Sequence, residues 1–350
     1  MKTAPITQAR LSNQHLNSPM DSAAQVVQWF GAVQAQDFYG SLWNVGQRVI
    51  SATEKDVEQA IQDKLIVRTW PMRGTLHFVS PHDVYWMLSL LTPRIVQRAQ
   101  TNYKKCELDA KTFLKSRKLL ERALEGNQML TRTEAYDVLA KGKINTSGER
   151  GIHIINNAAM AGLLCFGPRV GKQHTFVLLE EWISVKKNLS HDESLAELAK
   201  RYFTSHGPAT IHDFSWWSGL TLAEVKLSIE LAGDHLQNLK DGENEYYAGP
   251  DSGATRSSQP VVNLLSWYDE FIIGYKDRSA TFDPVTAKFI PAPKNGVYSP
   301  LILINGKISG TWKPTDKDDV VDVQPFRKFT AAETASLNKA IKRYNRFVKE

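Results

Sequence analysis

The chain has 350 residues and a net charge of +6, and 42% of its residues are hydrophobic, 10% aromatic and 23% charged. This is the composition of a folded, soluble protein that is long enough for two or more hydrophobic cores. No apolar run approaches the roughly 18 residues of a membrane-spanning helix. The two cysteines, Cys106 and Cys165, are far apart, and we interpret each as a small buried side chain. We therefore expect a cytoplasmic protein without a signal peptide or a membrane partner.

Five capping boxes, in which Ser or Thr is followed three residues later by Glu, predict the starts of helices. They lie at Ser51–Glu54, Thr131–Glu134, Ser190–Glu193, Thr221–Glu224 and Thr330–Glu333. Apolar residues follow each box at helical spacing. In the last stretch the apolar stripe is predicted to consist of Leu337, Ile341, Tyr344 and Val348.

Helices followed by a β-hairpin are predicted three times along the chain. The hairpins lie at 65–80, with a turn around Pro71 to Gly74, at 163–179, with Gly167, Pro168 and Gly171 at the tip, and at 236–249. This succession is typical of the winged helix, a helix-turn-helix with a hairpin wing. Tandem winged helices usually bind duplex DNA, although docking to another protein is an alternative that the pattern leaves open.

The last hundred residues have a different pattern. A loop is predicted at 249–260, and β-rich runs follow it, two of them separated by an Asn305-Gly306 turn. We predict an α+β fold with three tandem winged-helix motifs, a C-terminal β-rich domain and a terminal helix. The predicted domains are 1–115, 116–189, 190–250 and 251–350.

Motifs for most kinds of enzyme chemistry are missing from the sequence. It contains no paired cysteines, H-x-x-H, Walker loop, G-x-G-x-x-G or nucleophile elbow. We therefore expect no metal and no cofactor. The acidic stretch "YDEFIIGYKDR" holds carboxylates that could act as acid or base, but we interpret them as solvated strand ends and turns. The stretch contains Asp269, Glu270, Asp277 and Arg278.

Basic residues cluster in the first two predicted hairpins. An isoelectric point near 9.1 permits a polyanionic partner but does not require one. Arginine binds phosphate through two parallel hydrogen bonds, so these residues are candidates for DNA binding. Ordinary surface charge, and for the histidine a core or capping role, are the alternatives. The candidates are Arg68, Arg73 and His77 in the first hairpin and Arg169 and Lys172 in the second.

Two glutamines, Gln34 and Gln36, follow apolar residues at helical spacing in "VVQWFGAVQAQDFYG". On a regular helix, positions i and i+2 point about 200° apart. If both side chains serve one site, the backbone must leave the helix near Ala35. On local grounds alone, the pair resembles ordinary polar residues at a helix end.

Five stretches, in order along the chain, resemble the AlkZ-type DNA glycosylases, a winged-helix DNA-binding family of bacteria. They are "AVQAQDFYGSLWNVGQRV", "RTWPMRGTLHFV", "HGPATIHDFSWWSGL", "LLSWYDEFIIGYKDR" and "INGKISGTW". The resemblance implies three tandem winged helices plus a β-rich domain, and a monomer that acts on duplex DNA. It also implies excision of N7-alkylated purines, and in some members the unhooking of interstrand crosslinks. The alternative is a transcription regulator or adaptor that kept the fold without the chemistry.

The family's catalytic signature is Gln-apolar-Gln, or Gln-apolar-Asp in a sister branch. The resemblance therefore implies that Gln34 and Gln36 are catalytic, and Asp37 lies one position beyond the acid of the sister branch. An N7-alkylguanine is already cationic and leaves without much acid assistance, so the remaining task is to direct water to an oxocarbenium-like sugar. Neutral amide oxygens can do this as preorganised dipoles without burying a charge.

Overall fold

The computed structural model describes residues 3–253, 258–290, 298–315 and 321–350, with side chains from residue 6 onward. Residues 254–257 of the loop predicted at 249–260 lie outside the described residues. The chain forms two compact units, of which the first combines Met1–Glu58 with Leu195–Glu350 and the second is Gln59–Ser194. The division into four consecutive domains stays a prediction.

The helices and strands are numbered in chain order. The N-terminal part contains α1 (Thr3–Asn13), α2 (Ala23–Phe30), β1 (Ala32–Gln34), α3 (Phe38–Gly46) and α4 (Glu54–Gln62). The middle part contains β2 (Val67–Met72), β3 (Thr75–Val79), α5 (Val84–Arg98), α6 (Gln100–Lys105), α7 (Ala110–Leu124), β4 (Leu130–Thr131), α8 (Arg132–Lys141), α9 (Arg150–Met160), β5 (Leu164–Phe166), β6 (Thr175–Leu178) and α10 (Leu179–Trp182).

The C-terminal part begins with the helices α11 (His191–His206), α12 (Ile211–Ser218) and α13 (Leu222–Ala232), followed by the strands β7 (Gln237–Asp241), β8 (Asn244–Ala248) and β9 (Val262–Leu265). It continues with α14 (Glu270–Ile273), β10 (Leu301–Ile304), β11 (Lys307–Pro314), β12 (Val321–Pro325) and α15 (Ala331–Lys349).

All three predicted hairpins are confirmed, as the pairs β2–β3, β5–β6 and β7–β8. Arg73 and Gly74 connect the first pair, and both have positive φ angles, 55° and 75°. Asn305 and Gly306 connect β10 to β11 in the same way, with φ of 52° and 77°. Two consecutive positive φ angles match the twist of paired strands, so short turn motifs in the sequence determine these connections.

Four of the five predicted capping boxes are confirmed, at Thr131, Ser190, Thr221 and Thr330. The fifth prediction is wrong, because Thr53 and Asp56 form the box of α4 instead of Ser51 and Glu54. The Thr53 hydroxyl accepts the Asp56 N–H at 3.2 Å, and the Asp56 carboxylate accepts the Thr53 N–H at 2.8 Å. Ser51 has a positive φ of 53° and lies outside the cap. A sixth box, at Thr210 and Asp213, was not predicted.

The second unit contains an antiparallel sheet with the strand order β3-β2-β5-β6-β4. Helices α7, α8 and α9 supply the core that packs with this sheet. Since amphipathic helices bury one stripe, the core residues recur at helical spacing, and aromatic residues of β5 and β6 join them. The main contributors are Leu120, Leu124, Leu139, Ile154, Ile155, Phe166 and Phe176.

The first unit contains a four-stranded antiparallel sheet with the order β12-β11-β10-β9, and α15 packs against β9. Tyr344 of α15 lies between Trp43 and Trp312, with ring centroids 5.0 and 4.8 Å away. Phe347 is buried, and a Cβ at Gly46 would collide with its ring. The terminal helix is thus confirmed, but Val348 was wrongly placed in its stripe. Val348 is exposed and Phe347 is buried, so the stripe continues from Tyr344 at spacing i+3 instead of i+4.

Among the described residues, no helix combines the length and the apolar character that crossing a membrane requires. Cys165 is buried, as predicted, and its burial raises the pKa of its thiol far above the usual range. Cys106 is half-buried. A buried thiol with a raised pKa is a poor nucleophile, so Cys165 acts as a packing residue.

The capping of α4 by Thr53 leads to a prediction about stability. Thr53→Ala removes the cap, so it should lower the free energy of unfolding by about 1 kcal/mol. Ser51→Ala, two residues away, should change it by less than about 0.5 kcal/mol. Urea unfolding followed by circular dichroism measures both, and equal losses would contradict the assignment of the cap to Thr53.

Candidate active site

The glutamine pair lies in a loop of the first unit, where the chain passes from α2 to α3. Helix α2 ends at Phe30, and Gly31 follows with a φ of +77° that favours glycine. The backbone is then extended through Gln34 in β1. The backbone therefore leaves the helix at Gly31, four residues before Ala35, where we predicted the departure. Helical geometry no longer forces the two side chains in opposite directions.

The two glutamines differ in exposure. The structure buries Gln34, which is 6% exposed, and exposes Gln36. Asp37 immediately precedes the first turn of α3. Because Gln36 reaches solvent, the loop is not sealed inside the protein.

Glu270, the first residue of α14, lies directly behind this loop. Its Oε1 accepts the backbone N–H of Gln34 at 2.8 Å, and its Oε2 accepts the indole N–H of Trp217 at 3.0 Å. The Nε2 of His206 lies 3.4 Å from the same Oε2. Glu270 is only 1% exposed. The carboxylate therefore joins the glutamine loop to residues from the ends of α11 and α12.

His206 is fully buried, and its surroundings indicate a neutral ring. Burial lowers its pKa, and the charges of Arg48 and Arg10 act in the same direction, whereas the hydrogen bond and the charge of Glu270 act against it. A carboxylate only accepts, so the ring proton facing it is on Nε2. The Ser205 hydroxyl lies 2.8 Å from Nδ1 and 2.7 Å from the carbonyl oxygen of Arg201.

Asp269 is the second buried carboxylate, also 1% exposed. Arg48 binds it with both terminal nitrogens, each at 2.8 Å, and Gln47 adds a bond of 3.0 Å. Its Oδ1 also accepts the N–H of Phe271 at 2.9 Å and so caps α14. A bidentate arginine pair of this kind is strong and directional.

The interpretation of this acidic stretch as solvated turns was therefore wrong for Asp269 and Glu270. Asp277 is exposed and Arg278 is half-buried. The interpretation as a solvated turn was therefore correct for Asp277. Sequence reasoning missed the two buried carboxylates because their partners, Arg48 and Gln34, lie 221 and 236 residues away. The available signal was the apolar residues on both sides of the pair, in "LLSWYDEFII", which do not suit an exposed turn.

A third buried carboxylate, Asp213, lies in the same unit. Its Oδ1 accepts the N–H groups of Lys276 and Asp277, both at 2.9 Å, and its Oδ2 completes the capping box of α12. Arg10 lies 3.9 Å from it. Asp213 is therefore as buried as Glu270, but none of the groups that it bonds belongs to the glutamine loop.

The DNA-binding candidates all lie in the second unit and differ in accessibility. Arg68 is buried, with its guanidinium 4.6 Å from the Phe166 ring and 3.3 Å from His174. His77 is buried too, with Nδ1 3.0 Å from the Thr75 carbonyl oxygen. These surroundings favour the packing alternative for both residues. The accessible candidates are the half-buried Arg73 and Arg169 and the exposed Lys172.

Sheet topology separates these candidates into two groups. Strands β2 and β5 are antiparallel, and Arg68 pairs with Phe166. The turn at Arg73 therefore lies at one end of the sheet, whereas Arg169 and Lys172 lie at the other end, near Arg68. Four residues of β2, 69–72, lie between Arg68 and the turn at Arg73, which corresponds to about 13 Å of strand. The sequence does not reveal this division, because both groups simply follow a β-rich run.

Three side chains of metal-ligand type come together elsewhere in the second unit. The ligand atoms of Cys106, Glu149 and His153 lie within 4.8 Å of one another. The Glu149 side chain is 83% exposed, and exposed groups of this kind are common without an ion. We assign no metal to this cluster.

The chain belongs to the AlkZ-like DNA glycosylase family, whose model, described as "DNA glycosylase AlkZ-like", matches residues 27–347. It is therefore an enzyme that acts on N-glycosyl bonds, as the resemblance implied. A similar protein is an interstrand DNA cross-link repair glycosylase from Streptomyces sahachiroi, 25% identical over 317 residues, 87% of this chain and 85% of that protein. The solved structure of Streptomyces sahachiroi DNA glycosylase AlkZ shares the fold, with a TM-score of 0.82, 22% identity, and coverage of 97% of this chain and 95% of that chain.

The buried, neutral His206 leads to a prediction about pH. Its pKa is lower in the folded state than in the unfolded state, so its contribution to stability is complete above a pH of about 6.5 and is lost as the pH falls. The free energy of unfolding should therefore drop less between pH 7.5 and 5.5 in His206→Gln than in the wild type. His191→Gln, on the exposed start of α11, is the control and should keep the wild-type difference. Parallel curves for all three proteins would contradict a buried neutral ring.

Proposed function

We propose that the protein is a monofunctional DNA glycosylase that hydrolyses the N-glycosidic bond of N7-alkylated purines in duplex DNA. One observation carries this proposal: the Gln34-Ala35-Gln36 loop is anchored on Glu270 at one end and open to solvent at Gln36. The unhooking of interstrand crosslinks belongs to the proposal as well, since a glycosylase named for that repair is similar along most of its length. We further propose that the enzyme acts as a monomer in the bacterial nucleoid.

The chemistry follows from the charge of the substrate. Alkylation at N7 makes the purine cationic, so when the bond between C1′ and N9 breaks, its electron pair neutralises the leaving base. The sugar is left with oxocarbenium character, and the oxygen of a water molecule attacks C1′ and releases its proton to solvent. The reaction therefore needs no acid on the leaving group, and this proposed route uses neither a metal nor a Schiff-base lysine.

In this reaction the amide oxygens of Gln34 and Gln36 position the water and face the positive charge that develops on the sugar. Preorganised dipoles of this kind contribute on the order of 3 kcal/mol for each group. A neutral amide is suited to a partly open loop because it carries no charge that must be paired when DNA covers it. A bulky crosslinked base does not fit a tight pocket, and an open site suits such lesions better.

For DNA binding we propose the three helix-and-hairpin blocks as tandem winged helices, with Arg73 at one end of the sheet of the second unit and Arg169 and Lys172 at the other. Their accessible positive charges suit phosphates, which are read independently of base sequence. Arg68 and His77, which we first considered as DNA ligands, are proposed to support the hairpins instead because both are buried.

Replacement of the glutamines tests the catalytic proposal. Gln34→Ala and Gln36→Ala should each slow release of N7-methylguanine from methylated duplex by about 10²- to 10³-fold, while DNA affinity stays nearly unchanged. Single-turnover release and a binding titration measure the two effects. Gln25→Ala, an exposed glutamine on α2, is the matched control. Wild-type release by the double variant Gln34→Ala/Gln36→Ala would refute the proposed role.

The salt dependence of binding tests the proposed phosphate contacts. Lys172→Ala and Arg73→Ala should each reduce the slope of log K against log[salt] by about 1. Arg68→Met should lower stability but leave this slope unchanged, because a buried guanidinium does not meet phosphate. A wild-type slope in the Lys172 and Arg73 variants would place the DNA on another surface.

A further inference from the structure

Glu270 is a buried carboxylate that bonds the backbone of the glutamine loop. One of its oxygens accepts the main-chain N–H of Gln34, the first residue of the proposed catalytic pair, at 2.8 Å. The bond is to the backbone, so it fixes the path of the chain at Gln34 without involving the amide side chain. Gln34 is the last residue of β1, a strand of only three residues.

The other oxygen of Glu270 is held in turn by a rigid aromatic environment. Trp217 donates its indole N–H at 3.0 Å, and His206 stacks on Tyr202 with ring centroids 4.6 Å apart. Phe30, the last residue of α2, packs perpendicular to the His206 ring, with ring centroids 5.3 Å apart. The carboxylate therefore has few alternative positions, and its bond to the Gln34 N–H restrains the loop in the same way.

Burial of a carboxylate is unfavourable unless hydrogen-bond donors compensate it. The loop could have been anchored by a neutral acceptor, such as a backbone carbonyl, at less cost. What a carboxylate adds is a fixed negative charge behind the two neutral glutamines. An ion in a low-dielectric interior acts over a longer distance than it does in water, and the proposed substrate and its transition state are both cationic.

We propose that Glu270 is a positioning residue for the glycosylase reaction, holding the backbone of Gln34 in place and setting a negative field beneath the glutamine loop. This inference rests on the proposed function. Because the loop is preorganised before DNA arrives, the loss of Glu270 affects the chemical step more than the binding of DNA. Trp217 and His206 act through Glu270 and are positioning residues of second importance.

The test compares Glu270→Gln with Asp213→Asn in the full-length protein. Both variants replace a buried carboxylate by an amide of similar shape, but only the first faces the glutamine loop. Glu270→Gln should lower the single-turnover rate of N7-methylguanine release by about 10²-fold, as expected for a catalytic group displaced by about 1 Å, with DNA affinity within about 2-fold of wild type. Asp213→Asn should keep the wild-type rate at a temperature where both variants are folded.

A spectroscopic measurement separates positioning from a general loss of structure. The backbone amide proton of Gln34, bonded to a carboxylate, should resonate downfield in the wild type. It should move upfield in Glu270→Gln and stay in place in Asp213→Asn. If Glu270→Gln does not fold, Trp217→Phe takes its place, since it removes one donor to Glu270, and a several-fold loss of rate with a shifted Gln34 amide is expected.

Two results would overturn the inference: a wild-type rate in Glu270→Gln (or in Trp217→Phe, if that variant is used), or an equal loss of rate in Asp213→Asn. Failure of the proposed function has a different signature. In that case the wild-type protein releases no N7-methylguanine and Gln36→Ala changes nothing, although the Gln34 amide still responds to the loss of Glu270.

Discussion

The structure of the first unit depends on two adjacent buried carboxylates, Asp269 and Glu270. Asp269 is bound by Arg48, two residues after the end of α3, and Glu270 is bound by the backbone of Gln34. Each carboxylate therefore joins the C-terminal half of the chain to the N-terminal segment. Removing one partner of such a buried pair leaves the other charge uncompensated, which typically costs about 3–5 kcal/mol. This cost disfavours any packing of the same segments that leaves either charge without its partners.

The same constraint explains how two neutral side chains could carry out a reaction. Glutamine has weak chemistry of its own, so its contribution depends on where its dipole points. The loop that holds Gln34 and Gln36 has little regular structure, and the bond from the Gln34 N–H to Glu270 joins it to α14. In the proposed reaction the negative charge is kept in the interior, on Glu270, while the two glutamines are neutral.

In the second unit, strand pairing decides where the basic residues of the two hairpins lie. Its two hairpins carry similar basic residues, and both could be read from turn motifs and β-rich runs. The pairing of β2 with β5 decides that their tips lie at opposite ends of the sheet. The same pairing buries Arg68 against Phe166, because an arginine in the middle of a sheet packs its side chain on neighbouring rings.

The sequence by itself determined the local features of this protein. Four capping boxes, the three hairpins, the Asn305-Gly306 turn and the amphipathic helix α15 were all predictable, because each depends on residues within a few positions of one another. The caps at Thr53 and Thr210 were missed because the acid three residues later is Asp in both, whereas the predicted boxes end in Glu. The tertiary structure alone decided that Asp269 and Glu270 are buried, that the glutamine loop is tied to α14, and that the basic residues form two groups. These features join residues from about 100 to more than 200 positions apart. No local pattern in the sequence shows which distant residue a buried charge will contact.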